Sequence, residues 1–81
     1  MDTTKLYLAA ALISLGAGVL KIDKSNPRQM KFYLSNSSPI VEDEDEWFYK
    51  RTSEWENKSL TVNAQEFVDA IQYLKSEVHK P

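Results

Sequence analysis

No stretch constrains this chain as tightly as Leu6 to Leu20, LYLAAALISLGAGVL, the segment poorest in polar side chains. Read as a helix, it is apolar on nearly every side. Leu8, Leu12 and Leu15 fall on one stripe while Leu6, Ala10, Ile13 and Ala17 fall on another, so a single covering layer cannot bury both. Such a helix must run through the middle of the fold or meet another copy of the chain. Its fifteen residues fall short of the ~20 that a bilayer crossing needs, so no membrane association is expected. A cleaved leader is disfavoured as well, because Asp2 cancels Lys5 in the short lead.

The 81 residues are 42% hydrophobic and 27% charged, which fits one domain spanning 1–81. A chain this short buries little surface for its size. It has no cysteine for a disulfide, and its single histidine, His79, cannot build a structural zinc site. Self-association is the remaining common support, so a homo-oligomer is expected. The missing cysteines also fit a cytoplasmic protein.

Thr3 or Thr4 can cap a first helix over Lys5 to Leu15, and Gly16 can take the positive φ that ends it. The pattern then changes to alternation. Leu20 and Ile22 are expected on one face, followed after the Asn26-Pro27 turn by Met30, Phe32 and Leu34, which predicts a β-hairpin. Ser35 to Pro39 reads as a polar loop. The stretch Glu42 to Glu56 is read as a helix, with a short strand through Trp47-Phe48-Tyr49 as the alternative. Asn63 followed by Glu66 forms a capping box, and Phe67, Ala70, Ile71, Leu74 and Val78 make a narrow apolar stripe, so a helix is predicted over Ala64 to His79. The expected fold is a small α+β domain in the order α-β-β-α-α, with the hairpin packed against helices.

Three of these pieces, TTKLYLAAALISLG, LKIDKSNPRQMKFYL and LTVNAQEFVDAIQYLKS, together resemble a family of small uncharacterised domains of unknown function found in bacteriophage and mobile-element genomes. They cover most of the chain; Ser35 to Lys58 has no counterpart. The resemblance implies an accessory protein acting in a bacterial or archaeal host cell, in a setting that includes counter-defence. It implies no reaction and assigns no residue a role.

The net charge of −2 is unevenly spread. Lys21, Lys24, Arg28 and Lys31 oppose Asp23 alone in the hairpin, whereas residues 42–56 carry seven carboxylates against Lys50 and Arg51. Lys24, Ser25, Asn26 and Arg28 at the turn combine amides with cations and suit phosphate oxygens; Lys21, Lys31 and Tyr33 extend that surface on the non-core face. The bland alternative is a soluble turn whose lysines protect a strand edge. Glu42, Asp43, Glu44 and Asp45, with Trp47 and Trp55, form the second candidate, a partner-binding surface; its bland alternative is a solvated helix start beside core aromatics. No phosphate loop, acid–base pair or metal motif is present, so neither catalysis nor a cofactor is expected. Two functions are therefore weighed: binding of a phosphate-bearing ligand, a nucleotide signal or nucleic acid, through the basic hairpin, and inhibition or adaptation of a host protein through the acidic and aromatic segment.

Overall fold

The computed structural model describes residues 1–26, 28–36 and 43–80, with Asn36 described in its backbone alone. Pro27, Pro39 and Glu42, expected in the turn, the loop and the helix start, lie outside the described residues. The elements run β1 (Asp2–Thr3), α1 (Leu6–Ser14), β2 (Ala17–Asp23), β3 (Lys31–Asn36), α2 (Glu44–Glu56) and α3 (Ala64–His79). They form a small α+β domain, and none of the described helices is long and apolar enough to cross a membrane.

Helix α1 is the hub. It touches all three strands, α2 and, most extensively, α3. Leu8, Ala9, Ala10, Ala11 and Leu12 are consequently buried in succession, which means that the middle of the helix is covered all the way round, while Tyr7 near its start is exposed. Phe32 and Leu34 of β3, Trp47 and Phe48 of α2, and Ala70 and Leu74 of α3 complete this core, and no described polar side chain is buried in it. Both apolar stripes of α1 are therefore sheltered by elements of its own chain. The three alanines make this possible, because side chains of one carbon let neighbouring elements come close on several sides at once. A second copy is not needed to cover this helix.

The start of α1 differs from expectation. Lys5 is the capping position and caps with no side chain, while the Thr3 hydroxyl accepts a hydrogen bond from the Lys5 amide at 3.2 Å. Gly16 takes φ 118°, a left-handed value that would set the Cβ of any other residue against its own backbone, and its amide still donates to the Ile13 carbonyl at 3.0 Å. That turn delivers the chain into β2.

The sheet has the order β1-β3-β2, all antiparallel. The pairing of Asp2 and Thr3 with Tyr33 and Phe32 adds a strand that the hairpin reading did not contain, and it makes β3 central. Backbone bonds between Met1 and Leu34, at 2.7 and 3.1 Å, extend this pairing. The hairpin is also longer than expected. Ser35 and Asn36, read as loop, pair with Gly18 and Ala17 because β2 already begins at Ala17.

Leu20 is a correction. Val19 pairs with Leu34 and Lys21 with Tyr33, so Leu20 is an extra residue with no partner, a β-bulge. The bulge resolves a conflict of spacing: Val19 and Ile22 are three apart, yet both pack on the core, opposite Leu34 and Phe32. An odd spacing can share a face only if one residue is left out of the ladder. Leu20 is that residue, at 68% exposure, and Ala17 gains a buried place instead. The variant Leu20→Asp should therefore change stability in urea by less than about 0.5 kcal/mol. A loss of several kcal/mol would return Leu20 to the core.

Helix α2 resolves its two alternatives in favour of helix. Asp43 caps it, accepting from the Asp45 amide at 3.1 Å, and Glu44, Asp45 and Glu46 occupy the first turn where partial positive charge favours them. The start falls at Glu44 rather than Glu42 because Asp43 is used as the cap. At the other end, the Ser59 amide bonds the Glu54 carbonyl at 2.8 Å and the Lys58 amide bonds the Trp55 carbonyl at 3.1 Å, the double closure of a Schellman motif. Lys58 takes φ 60° in the position glycine usually fills. A left-handed L-residue costs about 1–2 kcal/mol, and glycine returns about 0.4–1 kcal/mol of that as unfolded-state entropy. Lys58→Gly should thus stabilise the protein by about 0.5–1 kcal/mol in chemical denaturation.

Helix α3 covers the predicted residues. Asn63 caps it through a 3.0 Å bond from the Glu66 amide, and Ala70 and Leu74 are buried with Phe67, Ile71 and Val78 packed beside them.

Candidate functional site

The hairpin cations were expected to converge; their strands and turn send them to three places. On the outer face of the sheet, the Lys21 ammonium sits 5.0 Å above the centre of the Tyr33 ring, its cross-strand partner. Lys31 is on the same face, 3.7 Å from the Asp2 carboxylate of β1. Asp23, paired with Lys31 across the ladder, accepts from the Ser25 amide at 2.9 Å. That backbone bond, with a further bond from the Ser25 side chain and the nearby Lys21 and Lys31, holds the Asp23 carboxyl below the usual range. A carboxyl lowered on folding stabilises the fold above its ordinary value, and that contribution is lost as pH falls through the lowered one.

Lys24 leaves the hairpin altogether. Its ammonium donates to the Glu77 carbonyl at 2.6 Å and the Lys80 carbonyl at 3.0 Å, at the C-terminal end of α3 where partial negative charge accumulates. The lysine thereby ties the hairpin turn to the last helix. The turn itself is closed by its own polar groups. Asn26 accepts from the Arg28 amide through its side chain at 3.0 Å and from the Gln29 amide through its carbonyl at 3.1 Å. The amides of Ser25 and Arg28, offered by the sequence as phosphate donors, are thus already engaged.

Arg28 has a different setting. It stands at the rim of a cleft of about 460 Å³ between the end of the hairpin turn, the start of α1 and the last turns of α3. Leu6, Met30, Phe32 and Val78 line the cleft with apolar surface, Thr4 and Gln29 contribute polar groups, and Lys75 of α3 supplies a second cation. Neither the Arg28 guanidinium nor the Lys75 ammonium has a carboxylate partner among the described residues. Two cations with no carboxylate partner among the described residues, beside apolar side chains, can hold an anionic group and cover part of what is attached to it. Comparison of the chain with protein-family models, with curated proteins and with solved structures found no match.

Lys75 was invisible as a site residue. In sequence it reads as one more solvent-facing position of an amphipathic helix, and only the fold brings it to the cleft that Arg28 also lines. Its place three residues before Val78, at the margin of the apolar stripe, was the one available signal.

The acidic and aromatic segment divides as well. Trp47 and Phe48 are core, with ring centres 5.0 Å apart at 84°. The Arg51 guanidinium lies 5.9 Å from the Trp47 ring, and its Nε is 2.9 Å from Glu54 Oε1, an ion pair too bent for a hydrogen bond. Trp55 is half-buried against the core and lines a cavity of about 360 Å³ with Lys58 and Leu60. Asp43, Glu44 and Asp45 are exposed, and the aromatic that faces solvent is Tyr49, at 74% exposure. Asp2, Asp45 and Tyr49 share a shallow groove with Met1, Phe48 and Thr52.

Proposed function

We propose that this protein is a non-enzymatic binder of a phosphate-bearing ligand, and that Arg28 and Lys75 hold the phosphate at the cleft beside the hairpin. The observation that carries the reading is the pair of cations, unpartnered among the described residues, lining a cleft that also presents apolar side chains. Both side chains are exposed, and an anion arriving at the cleft would gain charge-assisted hydrogen bonds from each. In the cytoplasm of a host cell, the setting implied by the resemblance, such a protein would act by occupancy, withdrawing its ligand from other receptors. Calorimetry with nucleotides tests it. Arg28→Ala should weaken binding by about ten- to a hundredfold, the equivalent of losing a charged hydrogen bond of about 1.5–3 kcal/mol, and added salt should weaken it in the parent protein. Unchanged affinity in both Arg28→Ala and Lys75→Ala would overturn the reading.

A second reading draws support from Tyr49, an exposed aromatic beside the acidic first turn of α2. In it the protein covers a basic patch on a host protein. That reading wins if charge reversal at Glu44 and Asp45 together with Tyr49→Ala abolishes biological activity while Arg28→Ala leaves it intact.

A further inference from the structure

The phosphate-binding reading leaves open whether the ligand is a strand of nucleic acid or a discrete small molecule, and the surroundings of the cleft discriminate between them. A strand presents a phosphate at every residue, and its affinity grows with the number of cations that meet them in succession. Around this cleft the succession is short. Lys31 is matched by Asp2, Lys24 is spent on the carbonyls at the end of α3, and Lys21 lies over Tyr33 in a face that also carries Asp2 and Asp23. Beyond Arg28 and Lys75, a strand would meet Lys5, between the cleft-lining Thr4 and Leu6, and then compensated charge or carboxylate, on a chain whose net charge is −2.

The floor is informative in the other direction. Inorganic phosphate would engage the two cations and leave the half-buried Leu6, Met30 and Val78 facing water. A ligand that uses the whole cleft carries an apolar or flat ring body behind its phosphate. The cleft is open to solvent, and its volume of about 460 Å³ is in the range of small-ligand sites. Gln29, on the wall, has both a donor and an acceptor to offer a polar ring edge.

We infer that the cleft selects a discrete phosphomonoester, one phosphate on a ring-bearing body no larger than a mononucleotide, over both inorganic phosphate and a nucleic-acid strand. The inference rests on the phosphate-binding reading and adds the ligand class to it. Amide-resolved NMR titration of the full chain tests it with five probes: adenosine monophosphate, phenyl phosphate, inorganic phosphate, adenosine and a short oligothymidylate. Both phosphomonoesters should shift amides of residues 28–32 and 75–78, and should bind at least about tenfold more tightly than inorganic phosphate or adenosine, the gain expected from burying a ring. Val78→Glu, which places a carboxylate on the floor, should remove that preference while Leu20→Asp leaves it intact. Tighter binding of the oligothymidylate than of either phosphomonoester, or equal binding of inorganic phosphate, overturns the ligand class and leaves the phosphate-binding reading standing. If no phosphate-bearing probe shifts the cleft amides, the phosphate-binding reading itself falls.

Discussion

Leu12→Ala should cost about 3–5 kcal/mol, the range for removing a fully enclosed leucine whose surroundings cannot collapse into the space. Leu12 has 0% exposure at the middle of α1, with the sheet and the other helices around that helix. A domain of this length has a total stability of roughly 4–12 kcal/mol, so this one truncation should consume much of it. The melting temperature should fall by roughly 12–40 °C, given that each kcal/mol moves a domain of this size by about 4–8 °C. Urea denaturation at constant m-value is the appropriate measurement, because an unchanged slope shows that the folded state is still the same compact one. A loss below about 1.5 kcal/mol would mean that the neighbouring elements close over the gap, which is the behaviour of a helix packed on one side. Ala10→Leu probes the same enclosure from the opposite direction. Extra methylenes at a site covered on all sides force neighbours apart and should also destabilise, by about 1–3 kcal/mol.

The central place of α1 was legible because it depends on a count of apolar side chains per stripe, and that count survives without any knowledge of neighbours. The limits of α3 were legible for a similar reason. Asn63 and Glu66 are three residues apart, and the bond they make is local. What the sequence hid was non-local. Leu20 and Ile22 satisfy a two-residue alternation, and nothing within the strand reveals that Val19 must also face inward to meet Leu34. Asp2 and Thr3 carry no alternating pattern, so their pairing with β3 follows from the position that α1 imposes on the chain before it. The hairpin cations illustrate the same limit for function. Density of charge along a chain is not density in space: successive strand residues point to opposite faces, and long side chains such as that of Lys24 reach other elements. Of the hairpin residues singled out by sequence for ligand binding, Arg28 alone lines the cleft, and its companion Lys75 comes from the last helix.

The second large effect is expected at Trp47, and it decides how the acidic segment should be tested. The segment Glu42 to Trp55 invites mutation of its tryptophans as interface anchors, yet Trp47 is 7% exposed, set edge-on against Phe48 and beneath Arg51. Trp47→Ala should therefore cost about 3–5 kcal/mol, as large aromatic truncations in a core do. It should also release the Arg51 side chain from its ring contact. Loss of partner binding in that variant would report unfolding and carry no information about a surface. Tyr49→Ala removes an aromatic from the same helix two residues on, at a position 74% exposed, and should alter stability by less than about 0.5 kcal/mol. Urea denaturation of the two variants in parallel separates the roles. If Trp47→Ala proved as mild as Tyr49→Ala, α2 would be peeling away from α1 in solution, and its aromatic face would then be available to a partner after all.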